Sequence, residues 1–206
     1  MIKGRNIAAA IVLTLSVLAG SMPASAAEYA IDTSHSAIQF KVRHMGISSV
    51  TGHFSVFDGT LAFDSEEMKA GSVDVRIDTA SIDTDDEKRD EHLRAADFFD
   101  VAEYPEMRFE STGVEVRGDE LAVSGNLTIR GVTRPVVLEA EFNGRIVDPW
   151  GNTRVGFEAS TTINRTDFGL TWNKLLETGG LVVGEDVKIT LTIEAIEQKS
   201  ETAPAS

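Results

Sequence analysis

The sequence of 206 residues contains no cysteine. Disulfide bonds and thiolate metal ligands are therefore excluded, and the folded domain must be stabilised by its buried apolar area. Basic residues are also scarce, because 19 lysines and arginines face 33 aspartates and glutamates, for a formal net charge of −14. This charge repels nucleic acid and anionic lipid headgroups. We therefore expect no nucleic-acid partner, and we expect any contact with lipid to involve a pocket rather than a basic surface.

After its N-terminus, the chain has no apolar run long enough to span a membrane. At the N-terminus, two basic residues precede a short apolar run from Ile7 to Leu18, which is followed by the small-x-small pattern Ala24-Ser25-Ala26. This arrangement is typical of a secretion signal. The sequence thus predicts a signal peptide over residues 1–26, cleavage near Ala26 and a periplasmic or secreted location. We expect one domain, 27–197, and a disordered tail, 198–206.

Motifs that carry catalytic chemistry are also lacking. The chain has no GxSxG, no GxxxxGK[ST] and no GxGxxG pattern. The acidic pair Asp85-Asp86 occurs where helix capping or solvation explains it. His35, His44 and His53 are nine residues apart, but there is no HExxH motif and no third ligand with secure geometry, so hydrogen-bonding roles are expected for them. The sequence therefore predicts neither an enzyme nor a metal site nor a cofactor.

The chain does contain many columns of alternating apolar and polar residues. Val187, Ile189, Leu191 and Ile193, for example, alternate with lysine and threonine. A period of two predicts half-buried strands of an antiparallel sheet. Six to eight such strands with one common apolar face must turn that face inward, as in a barrel or a sandwich. We expect strands up to about residue 44, over 53–64, up to 82, and over 107–116, 121–130, 136–146, 154–165 and 186–196.

Four local features interrupt this pattern. The apolar positions of the 53–64 strand change phase, which predicts a bulge or bend near Asp58-Gly59. Thr84-x-x-Glu87 is a capping box that predicts a short helix. Pro135 lacks an amide donor and should lie at a strand start or bulge. The long connection from Thr166 to Glu185 is rich in apolar residues, and it is either a short helix that plugs one barrel end or a lid over a ligand mouth.

Five segments spread along the chain share a pattern with a known family. They are DTSHSAIQFKVRH (32–44), SSVTGHFSVFDGTLAFD (48–64), SIDTDDEKRDEHLRAADFFDVAEYP (81–105), GNLTIRGVTRPV (125–136) and NRTDFG (164–169). In order and spacing they resemble the YceI-like family. The resemblance implies an all-β fold, namely a single antiparallel, lipocalin-like, eight-stranded barrel with one or two short helices, located in the periplasm. It also implies a long hydrophobic cavity for a polyisoprenoid or similar lipid. A homodimer and a membrane b-type cytochrome are further partners that the resemblance suggests.

Candidate binding residues follow from the inward columns and from the matched segments. The candidate tunnel wall consists of Phe40, Val42, Phe57, Phe63, Phe109, Leu127, Ile129, Leu138, Phe142, Phe157 and Ile163, with Phe168 and Trp172 nearer a mouth. Ala140 and Ala159 leave room for a ligand. The candidate headgroup cations are Arg43, Arg89, Arg130 and Arg165, with His92 on the inward helix face, because arginine forks suit phosphate. Core packing is the alternative for each wall residue, and contacts within the protein are the alternative for each cation.

The sequence thus predicts a protein that binds, stores or carries a polyisoprenoid lipid, such as a polyprenyl phosphate or a quinone tail, without chemistry of its own. One alternative is an accessory redox protein that presents quinone or haem to a membrane b-type cytochrome, and the absorbance of the purified protein would distinguish it. Another is a structural or stress-response protein with a solid barrel. An eight-stranded barrel can be filled by side chains or can hold one ligand, so these alternatives stay open at this point.

Overall fold

Eleven β-strands and one α-helix occur in the part of the chain that the computed structural model describes, residues 26–63, 71–118, 120–177 and 179–199. The strands are β1 (Ala27–Ile31), β2 (Ala37–His44), β3 (Ser48–Phe54), β4 (Phe57–Phe63), β5 (Gly71–Asp78), β6 (Ile82–Asp83), β7 (Glu106–Arg117), β8 (Glu120–Ile129), β9 (Val132–Val147), β10 (Thr153–Asn164) and β11 (Val183–Glu197). Helix α1 covers Glu87–Arg94, and two 3-10 turns cover Thr79–Ser81 and Arg165–Phe168. Within these ranges, no helix is long and apolar enough to cross a membrane. All but one residue of the predicted signal peptide and all but two of the predicted tail lie outside the described residues.

The β-sheet closes on itself. Around the sheet the order is β1, β4, β5, β7, β8, β9, β10 and β11, and β11 then pairs with β1 in antiparallel orientation. β11 pairs with β1 through Ala195–Glu197 and with β2 through Val183–Thr192, so β1 and β2 are two halves of one interrupted strand. β3 and β4 form a second interrupted strand. The result is a closed antiparallel barrel of eight strands with one short helix, which confirms the predicted fold class.

The alternating apolar columns form the interior of this barrel. Along β11, Ile189, Leu191 and Ile193 pack against the buried core, while the intervening Thr190 and Thr192 are exposed. The same alternation places large aromatic side chains on the inner face of the other strands. Buried apolar area contributes about 25 cal/mol per Å², and it is the main stabilising contribution in a chain without disulfides. The side-chain pattern and the barrel topology therefore have one common cause, the burial of a single apolar face.

The interruption of the second strand lies earlier than the predicted bend near Asp58-Gly59. β3 ends at Phe54 and β4 begins at Phe57, so Ser55 and Val56 form the break and change the phase of the apolar positions. Gly59 instead lies inside β4, where a Cβ atom would come within 2.6 Å of the carbonyl oxygen of Asp74. The glycine marks a close approach of two strands, which the sequence pattern does not distinguish from a bend.

Helix α1 also begins later than the capping box predicts. Its N-cap is Asp86, whose Oδ1 accepts a hydrogen bond from the amide of Arg89 at 3.1 Å. Thr84 is buried in front of the helix, and its Oγ1 donates to Oδ1 of Asp90 at 2.5 Å. Arg89 in turn donates from Nε to Thr84 Oγ1 at 2.7 Å. Through these hydrogen bonds, Thr84 joins the helix to the preceding loop, and it is not the N-cap.

Pro135 lies near the start of β9, as predicted. It is opposite Asn126 of β8, whereas the described pairing between β9 and β10 begins only at Glu139. A missing amide donor is tolerated at a position with a neighbouring strand on one side only. The other predicted strands agree with β7 to β11 to within one to four residues at each end.

Candidate functional site

A cavity of about 220 Å³ occupies the interior of the barrel. Every strand except the two-residue β6 contributes to its wall, which extends from Phe63 and Ile193 to Leu93 and Arg165. One buried water needs on the order of 10–15 Å³, so this space is far larger than a water site. The barrel is hollow, and the solid-barrel alternative does not fit it.

The wall of the cavity is apolar. Among its lining residues in the described part of the chain, only Gln39, Thr161 and Arg165 have polar side chains, and the accessible surface of the wall is formed by apolar atoms. A buried polar group without a hydrogen-bond partner is strongly disfavoured in such a space. The cavity therefore suits a hydrocarbon chain, and any polar group of a ligand must lie at an end of the barrel.

Nine of the thirteen predicted wall residues line the cavity. They are Phe40, Val42, Phe63, Phe109, Leu127, Ile129, Leu138, Phe157 and Ile163. Ala140 and Ala159 also lie in the wall. Phe98 and Phe99, which were not predicted as wall residues, line the cavity from the loop after α1. They are adjacent and belong to no helix or strand, so no apolar–polar alternation marks them in the sequence.

The other four predicted wall residues lie outside the cavity lining. The ring of Phe142 packs behind Phe157, with ring centroids 5.2 Å apart. Phe57 begins β4 and is buried beside the break of that strand. Phe168 is 2% exposed within the 3-10 turn after β10, where it belongs to the packed core. Trp172 lies further along the same connection. Phe57, Phe142 and Phe168 thus pack in or against the core beside the cavity without lining it.

The connection from Thr166 to Glu185 covers one end of the barrel together with the loop after α1; we call this the lid end. Trp172 packs edge-on against His92, with ring centroids 4.8 Å apart, and lies 5.1 Å from the ring of Phe98. The described part of the connection contains a 3-10 turn and a small hairpin, in which Leu175 bridges to Leu181. Its only helical part within the described residues is this 3-10 turn, whose Phe168 packs into the core together with the following Leu170, so both the plug and the lid stay predictions.

Arg165 is the only predicted headgroup cation in the cavity wall. It is 4% exposed, and its Nε donates to the carbonyl oxygen of Gly184 at 2.8 Å. Its Nη1 donates to the carbonyl of Leu170 and its Nη2 to that of Val183. Burial lowers the pKa of the guanidinium, and the charge of Glu185 opposes this effect. Within the described residues, no carboxylate lies in salt-bridge distance of Arg165. It is thus a buried cation that joins the lid-end connection to β11.

The other predicted cations do not line the cavity. Arg130 donates from Nη2 to the carbonyl of Ala96 at 2.8 Å and packs over the ring of Tyr104. Arg89 is bound to Thr84, as described above. His92 lies 2.8 Å from Asp97 through its Nε2 atom. Arg43 is exposed at the end of β2. Three of these four side chains have partners within the protein that account for their positions.

An ion cluster that no sequence pattern indicates lies on the outside of the barrel. Arg154 donates to Asp32 and Asp148, at 2.7 Å in each case, and to Glu194 at 2.5 Å. The hydrogen bond from Arg154 holds the pKa of Asp32 at about 2, with a smaller contribution from His35, and the bond to Asp148 likewise lowers the pKa of that carboxyl. Asp32, His35 and Glu194 could together contact a metal ion. The guanidinium of Arg154 already occupies the position between the two carboxylates.

A closed barrel with an apolar cavity and one covered end places this protein in the class of lipocalin-like β-barrels. The family model described as the YceI-like domain matches residues 29–195. The chain therefore belongs to the YceI-like family, as the five sequence segments indicate.

Relatives agree with this assignment, and solved structures share the fold. A UPF0312 protein of Pectobacterium atrosepticum is 42% identical over 187 residues, which are 90% of this chain and 94% of that protein. Protein YceI of Salmonella arizonae is 43% identical over 178 residues, 85% of this chain and 90% of that protein. The crystal structure of Burkholderia cenocepacia BcnA superposes with a TM-score of 0.70 at 24% identity, over 80% of this chain and 98% of BcnA. A polyisoprenoid binding domain from Saccharophagus degradans, implicated in plant cell wall breakdown, has a TM-score of 0.62 at 19% identity, over 82% and 98%.

Proposed function

We propose that this protein binds a polyisoprenoid or a similar long-chain lipid inside its barrel, and that it stores or carries this lipid without chemical change. The observation that carries the proposal is the continuous apolar cavity, whose wall offers hydrocarbon contacts along its length. The polyisoprenoid-binding description of the Saccharophagus degradans domain supports the same ligand class. A signal peptide over residues 1–26 and a periplasmic location belong to this proposal.

The energetics of transfer decide what such a cavity can select. Each isoprene unit that moves from water into the cavity gains roughly 3–4 kcal/mol, at about 0.8 kcal/mol per buried CH₂ group. A unit that comes from a bilayer gains almost nothing, because the acyl chains are as apolar as the cavity wall. Exchange with a membrane is therefore nearly isoenergetic. Selectivity must come from the length and shape of the chain and from the headgroup.

The headgroup position follows from the polarity of the wall. Arg165 is the cavity residue with a charged side chain, and it lies at the lid end. Three of the five N–H donors of the guanidinium are bonded to carbonyl oxygens, and the cavity surface is apolar, so a ligand oxygen would reach the remaining donors through a shift of the lid-end connection. In the proposed complex the chain fills the barrel, and a phosphate or quinone oxygen lies near Arg165. A quinone tail fits the same cavity, and no separate observation favours the redox alternative.

Mass spectrometry of an organic extract tests the proposal. The protein is purified from its native compartment without detergent, and the extract is compared with that of an Ala159→Trp variant prepared in parallel. We expect a polyprenyl or quinone species in near-stoichiometric amount from the wild type and much less from the variant. Extracts without any isoprenoid, together with no uptake of added polyprenol by the purified protein, would contradict the proposed ligand class.

A further inference from the structure

Exposed apolar side chains lie on turns at opposite ends of the barrel. At the lid end they are Met45 and Ile47, on the turn between β2 and β3, and Leu175, on the small hairpin; Ile47 is 86% and Leu175 82% exposed. We call these three residues the lid-end tips. At the far end, Ile146 and Val147 precede the turn between β9 and β10 and are 64% and 70% exposed, and Trp150 on that turn is 80% exposed. The exposed apolar side chains alone therefore do not distinguish the two ends.

The lid-end tips form one surface. The amide of Met45 donates to the carbonyl oxygen of Val182 at 2.8 Å, and the amide of Val182 donates to that of Lys174 at 3.0 Å. The β2–β3 turn and the hairpin of the connection are thus joined side by side, next to the covered end of the cavity. Arg43 and Lys174 are exposed beside the tips, and the ammonium of Lys174 lies 6.0 Å from the ring of Trp172. Apolar tips with flanking tryptophan and long cationic side chains are typical of a membrane–water interface.

The two ends differ in how firmly they are closed. At the far end, Arg154 ties the β9–β10 turn to β11 through Asp148 and Glu194, and the β10–β11 pairing continues to Arg154. At the lid end, the described residues between Phe168 and β11 form no strand ladder beyond one isolated bridge, Leu175 to Leu181, and separate hydrogen bonds such as that between Met45 and Val182 join them to their surroundings. A segment with few ladder hydrogen bonds opens at lower free-energy cost than paired strands. The ligand should therefore pass through the lid end.

The size and charge of this surface identify its occupant. Three side chains offer on the order of 300 Å² of apolar surface, whereas a stable protein interface needs about 800 Å² per partner. The net charge of −14 opposes attraction to an anionic membrane. Separate protruding tips can nevertheless enter the interfacial region of a bilayer, with Arg43 and Lys174 near the lipid phosphates. The surface therefore fits a lipid bilayer better than a protein.

We propose that the lid-end tips insert into the surface of a lipid bilayer and hold the lid end of the cavity against it. The proposal rests on the proposed function in that the bilayer is the source or recipient of the isoprenoid chain. Apolar insertion is the driving contribution, so docking should persist on neutral phosphatidylcholine vesicles and change little with added salt.

A flotation assay tests the docking surface directly. The wild type, the variant Ile47→Ser/Leu175→Ser and the matched control Ile146→Ser/Val147→Ser are mixed with phosphatidylcholine vesicles that contain no isoprenoid. Full burial of one such side chain corresponds to about tenfold in a partition coefficient, so the lid-end variant should partition about 100-fold less than wild type. The far-end control should partition as wild type does. Equal partitioning of the lid-end variant and the wild type would overturn the proposal.

The two tryptophans of the chain report which end meets the bilayer. Trp172 lies at the lid end and Trp150 at the far end, and Trp150 is 80% exposed. In the Trp150→Phe variant, brominated acyl chains should quench Trp172, whereas Trp150 in the Trp172→Phe variant should not be quenched. The opposite result would place the far end at the membrane. Loss of a dimer in the lid-end variant, without any vesicle binding of the wild type, would assign the tips to a second copy of the chain.

A last comparison separates the docking surface from the ligand proposal. Polyprenol supplied from a cyclodextrin complex should bind the wild type and the lid-end variant equally, whereas uptake from vesicles should be slower in the variant. Failure of both proteins to bind polyprenol from cyclodextrin would contradict the proposed function while leaving vesicle docking measurable. Equal uptake rates from vesicles would contradict the docking surface alone.

Discussion

Replacement of Ala159 by tryptophan tests whether the cavity is functional space. Ala159 lies in β10, opposite Ala140 of β9 and Leu191 of β11, and its side chain belongs to the cavity wall. The neighbouring Ala140 also leaves this part of the wall without a large side chain. An indole ring at position 159 should therefore project into open space rather than into packed neighbours.

The expected magnitude follows from the volume that the ring takes up. An indole ring displaces about two isoprene units of the lipid from the cavity. The lipid then loses roughly 6–8 kcal/mol of the free energy gained on transfer from water. Overpacking of a filled core would instead destabilise the fold by about 1–3 kcal/mol. We therefore expect the affinity for a water-dispersed prenyl phosphate to fall by several orders of magnitude, while the melting temperature changes little.

Titration calorimetry with geranylgeranyl phosphate and a thermal melt, both on delipidated protein, measure the two quantities. The matched control is Thr162→Trp, because Thr162 is exposed on the outer face of the same strand. The control should retain wild-type affinity and stability. A sharply lower melting temperature of Ala159→Trp with unchanged affinity would refute the reasoning and indicate a packed interior.

Three further predictions concern other parts of the barrel. On acidification, the Arg154→Met variant should unfold at a higher pH than the wild type, because Arg154 holds the pKa of Asp32 at about 2 in the fold, against an ordinary value of 3.8. The stability that this lowered pKa contributes is present above pH 3.8 and is lost as the pH falls towards 2. An acid titration of the variant, followed by circular dichroism, that matches the wild type would contradict this role of Arg154. Gly125→Ala places a Cβ atom 2.4 Å from the ring of Phe109 and should cost about 1–3 kcal/mol in urea unfolding, with Gly113→Ala, where the space is open, as its control. Added polyprenyl lipid should shift Trp172 fluorescence and slow hydrogen exchange in the 166–185 connection more than in the strands, whereas identical exchange with and without lipid would make the connection a static plug.

The barrel could be predicted from the sequence because its signal repeats. Columns such as Ile189, Leu191 and Ile193 satisfy only one arrangement, a sheet with its apolar face inward, and eight strands follow the same rule. The closure of the sheet into a barrel was predicted only from the family resemblance, because the pairing of β11 with both β1 and β2 joins residues far apart in sequence. The phase change between Phe54 and Phe57 was visible in the sequence, but its exact residues were not.

The site was harder to predict than the fold. Nine wall residues were predicted correctly from the apolar–polar alternation of the strands. An inward-facing position does not show, however, whether a side chain lines the cavity or packs beside a residue that does, as Phe142 and Phe157 illustrate. Arg165 and Arg130 are equivalent in the sequence, each close to a strand end. Only the fold brings one of them into the wall. The Arg154 cluster joins Asp32, Asp148 and Glu194 across 162 positions of sequence and has no local signal.

The most direct test of the central claim is a crystal structure of the protein with a bound polyprenyl phosphate. We expect continuous density for the lipid chain along the barrel axis, in contact with Phe40, Phe109 and Phe157, with the phosphate at the lid end near Arg165. Density for the lipid on the outer surface only, or a cavity filled by rearranged side chains in the presence of saturating lipid, would contradict it.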